Sequence, residues 1–473
     1  MARESDHVAS HLNPRDVSPR DLSQMIYHVV EDKSAQGIAA AVGRLISSNE
    51  IHRGEKLPTV RDLSSLLGVS HSTVNQAWQA LALSGALISR GRAGTFVAEL
   101  ASKEHTPRFL GLGGPLVSDG IDLSRGTPDP ELLPSLAHAL ECVTANKDIW
   151  ASSYFDEPIV AELDALLRDT WPFTPERLTV VDGALDALSR VVDQLISFGD
   201  RVVVESPGFP PLLDLLERAG AELIPVSLDE QGIMPSELAN ALQLNPTAIF
   251  IQPRAHNPTG TSMSKLRASE LATVIGQTPC WVIEDDHSGD ISISPDVSIG
   301  LFLPARTVHI RSFSKSHGPD LRLAAMGGPS QVLDPIINRR MLGPGWSSRL
   351  LQHILVELLT NPVSIHDVEA ARAEYVFRST HFREALADLG LVTSPGDGIN
   401  VFISVDDEQR VLINLAAQGV RVAPGAPFFA GKTGSPSIRV TTAALPSDPE
   451  RISEFATLMV KSIGQLDRMH SSR

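Results

Sequence analysis

At 473 residues the chain exceeds what one hydrophobic core ordinarily organises, so two or three domains are expected. Its 42% hydrophobic and 20% charged residues are those of an ordinary globular protein, and no apolar run reaches the length of a membrane span. The net charge of −16 excludes attraction of the whole surface to nucleic acid, so any such contact must be confined to a small module on an acidic body. Cys142 and Cys280 lie far apart with no metal-ligand spacing around either, which suits unpaired thiols in a reducing cytosol and no metal. The polar opening "MARESDHVASHLNPRD" lacks a signal-peptide core; a cytoplasmic protein without membrane contact is expected.

Residues 1–33 form an N-terminal extension, and residues 34–98 form the first expected domain. "SAQGIAAAVGRLISS" places Ile38, Val42, Leu45 and Ile46 on one helical face. "PTVRDLSSLLG" gives a shorter helix with Val60, Leu63 and Leu67 inward and Gly68 as its stop. The next helix starts at a capping Ser70 and buries Val74, Trp78 and Leu81. "ALISRGRAGTFVA" then reads as two short strands around a basic turn, completing a winged helix-turn-helix. Its third helix would enter the major groove by its N-terminal end, presenting His71, Ser72, Thr73, Asn75 and Gln76. Residues 44–97 carry six Lys/Arg against three acids, a local charge of +3 on an otherwise acidic chain.

The stretch "GEKLPTVRDLSSLLGVSHSTVNQAWQALALSGALISRGRAGTFV" resembles the DNA-binding domain of the GntR regulators. The shared pattern is an LP-T-x-R-x-L turn and helix, a GVS-x-x-TV recognition start and an R-x-G-T-x-V wing. That resemblance implies double-stranded operator DNA as partner. It also implies that Arg61, Thr73, Arg90, Arg92 and Gly94 contact the DNA, mostly at phosphates.

Residues 99–120 are broken by glycine and proline and read as a linker. Residues 121–473 follow as the second region, in which short apolar strands alternate with helical stretches: "RLTVVDG", "DRVVVESPG", "ELIPVSL", "AIFIQPR", "CWVIEDD", "TVHIRSFSK" and "LAAMGGP". Such alternation predicts a mainly parallel sheet between helices, with ligands bound beyond the carboxyl ends of its strands. Gly183 and Ala184 follow the first of these strands, Phe209 the second and Asn257 the fourth; Asp285 and Lys315 belong to the ends of the fifth and sixth. A glycine turn opening a helix offers amides to a phosphate, and an aromatic side chain can cover a flat ring. An amide can hold a phenolic oxygen, a carboxylate a protonated pyridine nitrogen, and a lysine can form an imine. Ser312, Ser314 and Arg322 add hydroxyls and a fixed charge for the phosphate. The set is that required for pyridoxal 5′-phosphate (PLP), with Lys315 as the Schiff-base residue.

"HNPTG", "VIEDD", "SFSKSHGPDLRL", "VESPGF" and "SIRVTTAAL" make residues 120–445 similar to the fold-type I aminotransferases, and a GntR reader fused to that fold resembles the MocR-like regulators. The resemblance implies an α/β body ending in a small α+β subdomain from about residue 366, and a homodimer arranged head-to-tail. It places Arg439 on a ligand carboxylate and Tyr154 over the neighbouring subunit's phosphate. It also puts His287 where the family carries a tyrosine, as a cofactor-binding residue whose imidazole replaces the phenol. Asp182, just before the phosphate-binding glycine, is a second departure. The implied function is a PLP-dependent transcription regulator that senses an amino compound, carboxylate-bearing, or PLP itself, through an external aldimine. The other reading is an active aminotransferase with an accessory DNA-binding module.

Overall fold

The computed structural model describes residues 19–464 except 48–49, 53, 84–85, 90, 98–107, 113–119, 146–152, 155, 394–395 and 432–433. It divides into two compact units, Met1–His105 and Thr106–Arg473. No helix among the described residues is long and apolar enough to cross a membrane.

In the first unit, α1 (Pro19–Val29) falls within what the sequence reading treats as an extension. It packs on α2 (Ala35–Ser47) and α3 (Val60–Leu67), with Leu22 and Ile26 fully buried. The face expected for α2 is inward, since Ile38, Val42 and Leu45 are all buried. Thr59 caps α3 by accepting from the Asp62 amide (3.2 Å), and Gly68 closes it in the left-handed region at φ 70°. Then α4 (His71–Leu83) buries Val74, Trp78 and Leu81. Strands β1 (Leu87–Ser89) and β2 (Thr95–Val97) pair antiparallel and form the wing.

The second unit opens on the one-turn helix Arg108–Gly111, inside the stretch expected as a linker, whose Arg108 pairs with Asp214 and Glu217, and β3 (Ile121–Leu123) follows. A large sheet follows from β4 (Arg177–Val181), β5 (Arg201–Ser206), β6 (Glu222–Asp229), β7 (Gly232–Ile233), β8 (Ala248–Ile251), β9 (Trp281–Asp286), β10 (Thr307–Ser312) and β11 (Ala324–Gly328). Its order is β4-β11-β10-β9-β8-β5-β6-β7. The pairs from β10 through β9, β8 and β5 to β6 are parallel, while β11 runs antiparallel to both neighbours. The strands β8 (Ala248–Ile251) and β10 (Thr307–Ser312) are buried throughout, because helices cover both faces. A smaller sheet joins β12 (Asn400–Ser404), β13 (Val420–Pro424) and β14 (Ser437–Thr441) in the order β12-β14-β13-β3. The small subdomain therefore recruits a strand from the start of the unit, β3, which pairs parallel with β13.

Candidate functional site

The carboxyl ends of β10, β9 and β8 place three polar side chains side by side. In the parallel register of β9 and β10, Asp285 lies opposite Ile310, and β10 ends two residues later at Ser312, three before Lys315. Asp285 is 2% exposed; its Oδ2 accepts from Gln252 Nε2 (2.8 Å), while its Oδ1 has no hydrogen-bond partner. Burial pushes this carboxyl up to about 6, against the pull of the Gln252 hydrogen bond. Gln252 also accepts from the Asn257 amide at its Oε1 (2.8 Å), so one side chain fixes two predicted residues. Gln252 was missed in the sequence, although it follows β8 directly, where the strand-end rule points.

Lys315 is partly buried, and its Nζ donates to the Gly126 carbonyl (2.6 Å). Burial, with the Arg439 charge second, lowers the ammonium to about 8, so near neutrality a real fraction is the nucleophilic free amine. Arg439 comes from β14 of the small sheet and is fully enclosed. Its guanidinium donates to Asn257 Oδ1 (3.0 Å) and the Ser124 carbonyl and lies 5.1 Å over the Phe428 ring, leaving its buried Nε without a partner. Desolvation lowers it to about 10, still a cation at neutral pH.

The phosphate end is built at β4. Gly183 takes φ 101° at the N-cap of the helix Ala184–Leu195, and no side chain caps that helix. A Cβ at Gly183 would stand 2.9 Å from Arg322 Nη2, whose guanidinium is exposed and donates to the Asp182 carbonyl (3.0 Å). The acid at 182 does not oppose an anion there, because Ser347 Oγ (2.6 Å) and Arg340 Nη2 (3.1 Å) take up its carboxylate. Ser312 is buried and accepts from the Ser314 amide (3.3 Å). Phe209 caps the helix Pro210–Ala219 and is half-buried against the core beside the sheet.

His287 differs from the donor role expected of it. Its Nε2 lies 2.9 Å from the Ala255 carbonyl, and only a protonated Nε2 can make that bond. Burial, then the Lys315 charge, lowers the imidazole to about 4, so it is neutral and its Nδ1 can only accept. Tyr154 stands 82% exposed against Trp346, with ring centroids 5.8 Å apart.

In the first unit His71, Ser72, Asn75 and Gln76 lie exposed along one side of α4, and Thr73 is half-buried. Ser70 Oγ bonds Ser72 Oγ (2.6 Å) and Thr73 Oγ1 (2.8 Å) and accepts from the Thr73 amide (3.1 Å), fixing the helix start. Arg61 is exposed, with no ion pair among the described residues. Gly94, at φ 108° in the wing, leaves room for the Lys56 side chain, which a Cβ would meet at 2.9 Å. Arg90 lies outside the described residues; Arg92 falls in the turn Gly91–Ala93, and its side chain is likewise outside the description.

The residues of the second unit fit PLP. A buried carboxylate oxygen without a partner matches a pyridinium N–H, an uncapped helix start beside Arg322 matches a phosphate, and a lysine of lowered pKa matches the aldehyde carbon.

A winged helix-turn-helix followed by a fold-type I aminotransferase body defines a transcription regulator built on an enzyme's scaffold. The family description "Bacterial regulatory proteins, gntR family" matches residues 34–97, and "Aminotransferase class I and II" matches residues 118–455. The vitamin B6 salvage pathway transcriptional repressor PtsJ of Salmonella typhimurium is 34% identical over 88% of this chain and 96% of its own. The regulator TauR of Rhodobacter capsulatus is 28% identical over 81% and 87%, and the pyridoxine biosynthesis regulator PdxR of Corynebacterium glutamicum 24% over 82% and 87%. Among solved structures, a kynurenine aminotransferase of Pyrococcus horikoshii shares the fold at a TM-score of 0.67 and 21% identity, covering 74% of this chain and 92% of that one. The α-aminoadipate aminotransferase LysN of Thermus thermophilus does so at 0.66 and 22%, covering 76% and 97%. The chain belongs to the MocR-like subfamily of the GntR transcription regulators.

Proposed function

We propose that this regulator holds PLP on Lys315 and reads a small amine at that site, converting its occupancy into a change in operator binding. The observation that carries the reading is the buried, unpartnered Oδ1 of Asp285. A desolvated carboxylate oxygen costs stability unless a group arrives to pair with it, and a protonated ring nitrogen is such a group. When bound, PLP supplies an aldehyde that condenses with amines. Asp285 holds the ring-nitrogen proton, Gly183, Ala184, Ser312, Ser314 and Arg322 fix the phosphate, and Phe209 and Asn257 orient the ring. Lys315 would hold the cofactor's carbonyl carbon, for which a ligand amine would compete, and Arg439 would grip that ligand's carboxylate. His287, with its only proton turned to Ala255, offers no donor to the ring oxygen. That favours recognition over fast turnover.

The subunits pair head-to-tail in this reading, with the exposed Tyr154 completing the partner's phosphate site. The likeness to PtsJ and PdxR supports a second ligand class, a vitamin B6 compound, with PLP itself as the effector. The deciding experiment measures operator binding with and without PLP and with a panel of amino acids, alongside keto-acid production. DNA binding that responds to a ligand, with little turnover, is expected; rapid transamination with DNA binding indifferent to every ligand and to cofactor removal would establish the enzyme instead.

A further inference from the structure

The helices Leu136–Ala145 and Arg349–Thr360 pack against each other, and their contact gathers three side chains that the Lys315 site does not use. His138 and Cys142, four residues apart, share one helical face, with Cys142 Sγ 3.8 Å from His138 Nε2. Glu357 comes from the facing helix, and one ligand atom from each of the three lies within 4.8 Å of the others. We propose that His138, Cys142 and Glu357 form a binding site for one divalent cation of the zinc class. This does not rest on the reading of the Lys315 site.

The chemistry of the set selects the metal. Imidazole, thiolate and a single carboxylate suit zinc, whereas magnesium and calcium require oxygen ligands. Ordinary zinc–nitrogen and zinc–sulfur bond lengths put two tetrahedral ligands roughly 3.5 Å apart. The His138–Cys142 pair is already near that spacing, and Glu357 need close by only about 1 Å.

Asn361 bridges two of the three ligands. Its Oδ1 caps the helix Pro362–Asp388 through the Val363 amide (2.9 Å). Its Nδ2 approaches both Glu357 Oε1 (2.8 Å) and His138 Nε2 (3.1 Å). With Asn361 Nδ2 donating, Nε2 is the unprotonated ring nitrogen, the tautomer a metal needs, and metal binding exchanges that hydrogen bond for the metal–nitrogen bond. Partial burial, then the Glu357 carboxylate, pushes the Cys142 thiol above its usual range. Binding replaces the S–H bond by an S–metal bond, and the proton passes to solvent.

Cys142 and Glu357 also line a cavity of about 750 Å³ that gives a cation access. Of the three arginines on its walls, Arg168 pairs with Asp164 (2.8 Å), Arg177 pairs with Asp334 (2.5 Å), and Arg349 donates to the carbonyls of Ser153, Asp156 and Glu157. The other convergence of ligand-type groups among the described residues, at Asp286, Asp296 and His309, differs in kind. Arg254 grips Asp286 through two nitrogens and Arg311 holds Asp296, so protein cations already fill that role.

Cobalt(II) titrated into the full-length protein tests the site, read as difference spectra. One equivalent per chain should produce the near-ultraviolet thiolate-to-cobalt charge-transfer band together with tetrahedral ligand-field absorption, displaced by zinc and not by magnesium. Cys142→Ser, checked for an unchanged circular dichroism spectrum, should abolish the charge-transfer band. His138→Ala and Glu357→Gln should each weaken cobalt affinity by at least about tenfold. Absence of the band at stoichiometric cobalt, a band retained in Cys142→Ser, or unaltered affinity in His138→Ala would each overturn the proposal.

Discussion

Asp285 is pulled two ways, and the balance has a measurable sign. Its carboxyl is raised from 3.8 to about 6, so the folded chain holds this proton more tightly than the unfolded chain. Stability of the cofactor-free protein therefore falls as pH rises from about 4 to about 6, and the loss, at most on the order of 3 kcal/mol, persists at neutral pH. Asp285→Asn removes the buried charge, so at pH 7 it should raise the melting temperature of the cofactor-free protein while weakening PLP binding at least about tenfold. Melting curves and a fluorescence titration of the same sample check both; an unchanged PLP affinity would reject Asp285 as the ring-nitrogen partner. Lys315 is lowered to about 8, so its capture of added PLP should accelerate with pH up to about 8 and then level off. Lys315→Ala should fold yet leave no adduct after borohydride reduction, and an adduct that survives would move the anchor elsewhere.

At this scale the sequence was informative wherever chemistry sits at a strand end. Lys315, Asn257 and Asp285 were read from that rule and Arg439, in the middle of β14, only from the family resemblance; the fold brings the four within one hydrogen-bonded or charge-coupled group. The orientation of His287 was not legible, since it depends on a carbonyl 32 residues away in the chain, brought close only by folding.

Among the elements, the proposed roles of the helix Ala184–Leu195 and of α4 both lie in their first turns. Gly183→Ala would force a side chain into a positive-φ position and crowd Arg322. Cofactor affinity should drop by about tenfold or more, measurable by equilibrium dialysis, and undiminished binding would remove this turn from the phosphate site. At α4 and α3 two kinds of contact separate. Arg61→Ala should weaken binding to every DNA sequence and lower the salt slope by about one, whereas Asn75→Ala should change which operator is preferred. Binding assays across salt and across operator variants distinguish them; identical behaviour of both variants would refute the division of labour.

Two elements were harder to read. Leu22 and Ile26 lie four residues apart on α1, a visible signal in a stretch whose polar surroundings pointed to an extension. The three residues of β3 are too few to show alternation, and their partner β13 is some 300 residues downstream.

For the whole molecule, the two units assign distinct tasks to distinct stretches of chain. A protein lacking residues 1–98 should keep its absorbance from bound PLP and lose specific DNA binding; retention of specific binding would contradict the role given to the winged unit. Charge follows the same division, with a local +3 on a chain of net −16. The opening of the second unit is fastened twice: Arg108 pairs with Asp214 (2.9 Å) and Glu217 (2.6 Å) on the helix Pro210–Ala219 of the body, and β3 pairs with β13 in the sheet that bears Arg439. That stretch of chain therefore touches both the body that bears Lys315 and the small sheet that bears Arg439.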